Sequence, residues 1–93
     1  MMSQMPIDLS KVKSEDIDKE ILRAGIIAEF DAINFYEQMA SIAKDENVKK
    51  VMLDVAREEK AHVGEFQTML NKLDKEMEKE FEEGKKEVEE MFE

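Results

Sequence analysis

The sequence predicts an all-α protein: two long helices folded into an antiparallel hairpin, followed by a short acidic C-terminal helix. Three observations carry that expectation. The 93 residues include only three glycines and one proline, while Leu, Ala, Glu, Lys and Met, all good helix formers, are abundant. Apolar residues recur at spacings of three and four rather than in strict alternation. One brief polar segment, Lys44-Asp45-Glu46-Asn47, separates the two longest periodic stretches, and connections that short join antiparallel neighbours.

Residues 1–13 are expected to form a mobile N-terminal tail. Its sequence MMSQMPIDLSKVK lacks the apolar run of a secretory signal, which points to a cytoplasmic protein. The first helix is expected to start at Ser14, a good N-cap residue, with Glu15 and Asp16 at the positive end of the helix dipole. It runs to about Ala43. Ile17, Ile21, Ala24, Ala28, Ala32, Phe35 and Met39 form one apolar row, and Leu22, Ile26, Ile33 and Ala40 a second. Asp45 or Asn47 is placed to cap the next helix, which carries Val48, Val51, Met52, Val55, Val63, Phe66, Met69, Leu70 and Leu73. The hairpin domain thus spans residues 14–73. Residues 74–93 form the acidic helix, where Met77, Phe81, Val88 and Met91 keep a thin apolar stripe and Gly84 is a weak point.

Composition excludes several function classes. The formal charge is −10, and the tail is denser in acid than the rest, with net −6 over residues 74–93 against −4 over residues 1–73. That balance argues against nucleic-acid binding, which needs clustered Lys and Arg, and favours cationic partners. No stretch approaches the roughly 20 apolar residues of a membrane span. The absence of cysteine removes thiolate chemistry and disulfides, and the one histidine removes any site needing two from one chain. Chemistry must rest on carboxylates and a single imidazole.

The informative residues are polar ones set inside apolar stripes. On a helix, Glu29 is surrounded by Leu22, Gly25, Ile26, Ala32, Ile33 and Tyr36. Glu59 is surrounded by Met52, Val55, Ala56, His62, Val63 and Phe66, so its one polar neighbour is the sole histidine, one turn away. Burying an ionised carboxylate without a partner costs several kcal/mol, which a marginally stable small domain does not carry twice without compensation. Arg57 and Lys60 adjoin Glu59 in sequence but project elsewhere around the helix. A cation must therefore come from outside.

Hairpin geometry brings the three residues together, because a helix rises about 1.5 Å per residue. With the turn at residue 45, Glu29 lies 16 residues before it and Glu59 and His62 lie 14 and 17 after it. One hairpin thus presents a Glu from one helix and a Glu-x-x-His from the other. That is half the ligand set of a di-iron carboxylate bundle. A two-fold dimer completes both the ligand set and a four-helix core that one hairpin cannot close. Its four carboxylates balance two Fe(II). Without metal, like charges about 4 Å apart repel by about 4 kcal/mol per pair at an effective dielectric near 20. The oxygen and nitrogen donors suit iron or manganese and admit other divalent metals such as Zn or Ca.

The stretch Ala28-Glu-Phe-Asp-Ala-Ile-Asn-Phe-Tyr-Glu-Gln38, with Arg57-Glu-Glu-Lys-Ala-His62 starting 28 residues after Glu29, resembles the encapsulated ferritins, the ferritin-like cargo of encapsulin nanocompartments. The likeness covers about residues 15–73. It implies a ferritin-like four-helix bundle formed by dimerisation, dimers assembled into a ring-like decamer, and a ferroxidase centre oxidising Fe(II) with oxygen and passing the product to an encapsulin shell protein. By position, Glu29, Glu59 and His62 correspond to the iron ligands of each chain and Tyr36 to a tyrosine close to the centre. Asp31 corresponds to an acidic metal-access residue, whereas Ala28 stands where a second one can occur and Phe35 where some relatives have tryptophan. No shell-targeting peptide stands at the C-terminus, and in some archaeal relatives this domain is fused to the shell protein.

Two further readings stay open at this level. One is a rubrerythrin-like peroxide-scavenging di-iron protein using the same ligands. The other is a non-enzymatic helical oligomerisation or metal-binding module. A lone histidine on an apolar face is often only a packed core residue, so the bland reading competes with each.

Overall fold

A computed structural model describes residues 8–93 of the chain. The structure is all-helical, as the sequence predicts. Helix α1 spans Ile17–Ile42 (26 residues), α2 spans Glu46–Leu73 (28 residues) and α3 spans Lys75–Met91 (17 residues). Residues 1–7, including the N-terminal methionines and most of the expected tail, lie outside the described residues. A 3₁₀ turn occupies Leu9–Lys11 within the remainder of that stretch.

The start of α1 departs from the expected cap. Ser14 opens a second 3₁₀ turn, Ser14–Asp16, which winds directly into α1, and no side chain caps either element. The carbonyls of Lys13 and Ser14 accept from the amides of Asp16 and Ile17. Backbone oxygens thus satisfy donors that a serine hydroxyl was expected to meet. The turn into α2 follows expectation and settles on Asp45: its carboxylate accepts from the amides of Asn47 and Val48 at 2.7 and 3.1 Å.

The hairpin of α1 and α2 is the body of the fold. Among the described residues the buried apolar side chains are few, namely Ile33 and Ala40 on α1 with Ala56 and Leu70 on α2. Large apolar residues on both helices stay exposed, among them Ile21, Phe30, Val51 and Leu53. The radius of gyration is 16.4 Å, against about 12 Å for a compact chain of this length. Extents of 46 × 44 × 18 Å describe a flat, angular molecule. A hairpin has one seam and no second layer, so a single copy buries too little surface to close a core.

Asp74 makes the corner between α2 and α3. Its extended backbone (φ −125°, ψ 96°) ends α2, and its carboxylate accepts from the Met77 amide at 3.0 Å to cap α3. The same carboxylate pairs with Arg23 of α1 at 3.1 Å, and Arg23 also holds Glu20 at 3.1 Å. The Met77 amide, with Lys19 and Arg23 nearby, holds the Asp74 carboxyl below its ordinary value. Gly84 does not break α3, because its backbone stays helical between good helix formers. The stripe of α3 is nevertheless open, with Phe81, Val88 and Met91 all exposed.

Candidate metal centre

Glu29 extends from the middle of α1, and Glu59 and His62 from one turn of α2. The antiparallel packing brings them to one level. His62 Nδ1 lies 3.5 Å from Glu29 Oε2 and 3.5 Å from Glu59 Oε2. The three donor atoms all fall within 4.8 Å of one another. Both carboxylates are largely withdrawn from solvent, with 16% of the Glu29 side chain and 19% of the Glu59 side chain exposed, whereas His62 is 43% exposed.

The arrangement is incomplete in one telling respect. Glu29 Oε2 is buried and accepts no hydrogen bond. His62 approaches it without the alignment of a hydrogen bond, so the oxygen has charge nearby but no proton directed at it. The cations next in line are committed elsewhere: Arg57 pairs with Asp54 on its own helix, and Lys60 reaches Glu37 of α1 at 2.9 Å. Arg57 holds the Asp54 carboxyl below its ordinary value by hydrogen bond and then by charge. These engagements match the directions that helical spacing gives Arg57 and Lys60.

A divalent cation fits this set. Two donors each about 2.1 Å from a common ion lie no more than about 4.2 Å apart, and His62 stands within that limit of each carboxylate. Two carboxylate oxygens and an imidazole nitrogen form a hard-to-borderline donor set suited to iron, manganese or zinc. Three ligands from one chain also leave coordination positions open, and the exposed flank of His62 is where further donors can arrive.

The other expected residues lie apart from this cluster. Tyr36 is half-buried and packs edge-to-face on Phe35, ring centroids 5.2 Å apart. Asp31 is half-buried on α1 and is not one of the clustered donors. Glu58 and Glu65 are exposed. The Arg23–Asp74 pairing was not foreseen from the sequence. Only the capping half of Asp74's role had a local signal, a single Asp between two helical stretches followed by acidic first-turn residues.

Comparison with known proteins places the chain in a family. The Rubrerythrin family pattern matches residues 20–93, a stretch that contains all three donors. The crystal structure of the encapsulated ferritin domain from Pyrococcus furiosus matches with a TM-score of 0.81 at 53% identity, covering 97% of this chain and 94% of that one. The chain belongs to the ferritin-like Rubrerythrin family, among the encapsulated ferritins. A ferritin-like–encapsulin shell fusion protein of Pyrococcus furiosus is 62% identical to this encapsulated ferritin over 72 residues, or 77% of the chain. The chain spans only 21% of that relative's length. Family membership supports an iron-handling role. None of the described helices is long and apolar enough to cross a membrane.

Proposed function

We propose that the chain is a ferroxidase subunit whose active centre forms between two copies. The observation that carries this reading is the buried, unpartnered Glu29 Oε2 beside Glu59 and His62. Fe(II) is the substrate: bound between the copies, two Fe(II) each give one electron and leave as Fe(III), while one O2 takes both electrons with two protons from solvent and leaves as hydrogen peroxide. Glu29 and Glu59 of each chain supply the charged oxygens, and the four carboxylates of a dimer offset the charge of two Fe(II). His62 supplies the nitrogen donor, and its partly exposed ring faces the side from which a second copy completes the ligands. The withdrawal of both carboxylates from water strengthens their hold on a cation, since the effective dielectric falls with burial.

Tyr36 belongs to the surroundings of this centre, about two turns from Glu29 on the same face, and Asp31 marks the approach for incoming cations. The open apolar surface of the hairpin supports assembly into dimers and then a larger ring, with a decamer as the expected size. The match to a shell-fusion relative supports delivery of ferric product into an encapsulin compartment in the cytoplasm. The Rubrerythrin match also favours a second reading, peroxide reduction at the same ligands. This chain has no cysteine to hold an electron-donating iron centre, so oxygen is the preferred oxidant. Adding Fe(II) to the protein under air and following oxygen uptake tests the reading. The parent consumes oxygen in proportion to iron, and His62→Ala falls to the protein-free rate. A His62→Ala variant as fast as the parent overturns the mechanism, and faster turnover with peroxide than with oxygen selects the second reading.

A further inference from the structure

Gly25 and Phe66 face each other across the hairpin one turn beyond the donor cluster. Gly25 lies four residues before Glu29 on α1, and Phe66 lies four residues after His62 on α2, so both stand on the same faces as the donors. A Cβ placed on Gly25 would meet Phe66 ring carbons at 3.0, 3.1 and 3.6 Å. The ring is therefore seated against bare backbone at a distance no other residue allows without displacement. At the same level on the other side of the cluster stand Ile33 of α1 and Ala56 of α2, both buried. The donors are thus bracketed along the seam by the Gly25–Phe66 contact on one side and by buried Ile33 and Ala56 on the other.

We propose that Gly25 and Phe66 are positioning residues for the metal centre: the ring seated on Gly25 sets the separation of α1 and α2 at which Glu29 meets Glu59 and His62. The proposal rests on the metal reading of that cluster. Its consequence is asymmetric. Glu59 and His62 share one helix, so their 3.5 Å spacing is independent of the distance between helices, whereas the 3.5 Å from Glu29 to His62 crosses the seam. A methyl group at position 25 must be relieved by a few tenths of an ångström. Metal ligands tolerate only about 0.2 Å, so the cross-helix donor is the one displaced.

Co(II) titration of the full chain, read by visible d–d absorption, tests this alongside helix content by circular dichroism. Gly25→Ala is expected to keep its helicity, bind Co(II) about tenfold more weakly and shift the absorption bands, the scale on which supporting residues act on metal sites. Gly64→Ala is the matched control, because a Cβ there meets nothing within 4 Å, and it binds as the parent does. In a Phe66→Leu background the same Gly25→Ala change costs less than about twofold, since the crowding ring is gone. Should Gly25→Ala alone lose its helical signal, recovery of helicity and Co(II) binding in the double variant supports the proposal, and continued failure overturns it. Unchanged affinity and spectrum in Gly25→Ala, or an equal loss in both backgrounds, overturns the proposal while leaving the metal site standing. Parent binding that is absent, or indifferent to His62→Ala, overturns the metal reading and this inference with it.

Discussion

Two places in the molecule tie α1 to another helix through carboxylates, and they do so in opposite ways. At the corner, Asp74 is satisfied within the chain: it caps α3 through the Met77 amide and pairs with Arg23 of α1. At mid-hairpin, Glu29 and Glu59 share one imidazole at 3.5 Å, and a buried oxygen of Glu29 accepts nothing. Both places are acidic, but the Asp74 carboxylate has its own donors and holds structure together, while the buried Glu29 oxygen lacks them and is where we propose a cation binds.

The largest way to test that contrast is to neutralise the unpartnered acid. Glu29→Gln keeps the shape and removes the charge, so metal-free protein is expected to gain about 1 kcal/mol of stability in urea unfolding. The same variant is expected to bind Fe(II) at least about 100-fold more weakly in an anaerobic titration, because it loses a charged ligand rather than a supporting contact. Opposite movement of stability and metal binding at this residue is what the proposed ligand role predicts.

At the corner, the expected effect is smaller and depends on pH. The folded Asp74 carboxyl titrates below its ordinary value of 3.8. Its contribution is therefore complete above that value and is lost as pH falls through the lower, folded one. Protection of the Met77 amide, its exchange measured against the intrinsic rate at each pH, should fall over that acid range in the parent, and Asp74→Asn should remove this change in protection. The metal centre, four turns away along α2, should keep its neutral-pH Co(II) affinity in that variant.

The smallest effect belongs to the exposed pair that crosses the seam. Lys60–Glu37 is half-exposed at 2.9 Å, and such pairs contribute roughly 0.2–1 kcal/mol. Lys60→Ala should lower stability by no more than that in urea and leave the Fe(II) oxidation rate unchanged. A large loss of oxidation would place Lys60 inside the site and blur the contrast between structural and functional charge.

Much of this was legible from the sequence, and particular residues show why. Helical spacing alone puts Glu29 among Leu22, Ile26 and Ile33, and counting outward from Asp45 puts it level with Glu59 and His62; the structure brings the three together. Rise and periodicity suffice for both placements, because a helix enforces them regardless of context. What escaped was set by contacts between distant segments. Arg23 meets Asp74 across 51 positions of sequence, and nothing local to either residue announces the other. The seat of Phe66 on Gly25 is likewise invisible until the helices pack. Ser14 failed as a cap because a 3₁₀ turn ahead of α1 had already used the backbone oxygens to meet the first amides, a choice that cap propensity does not encode.

In the proposed function each chain holds half a site. Anaerobic Fe(II) titration, with the mass followed by size-exclusion light scattering, should then saturate at one Fe(II) per chain on a species whose mass is an even multiple of the 10.8 kDa chain, with both features lost in His62→Ala. Saturable binding to a 10.8 kDa monomer, or an even-numbered assembly that takes up no iron, would contradict it.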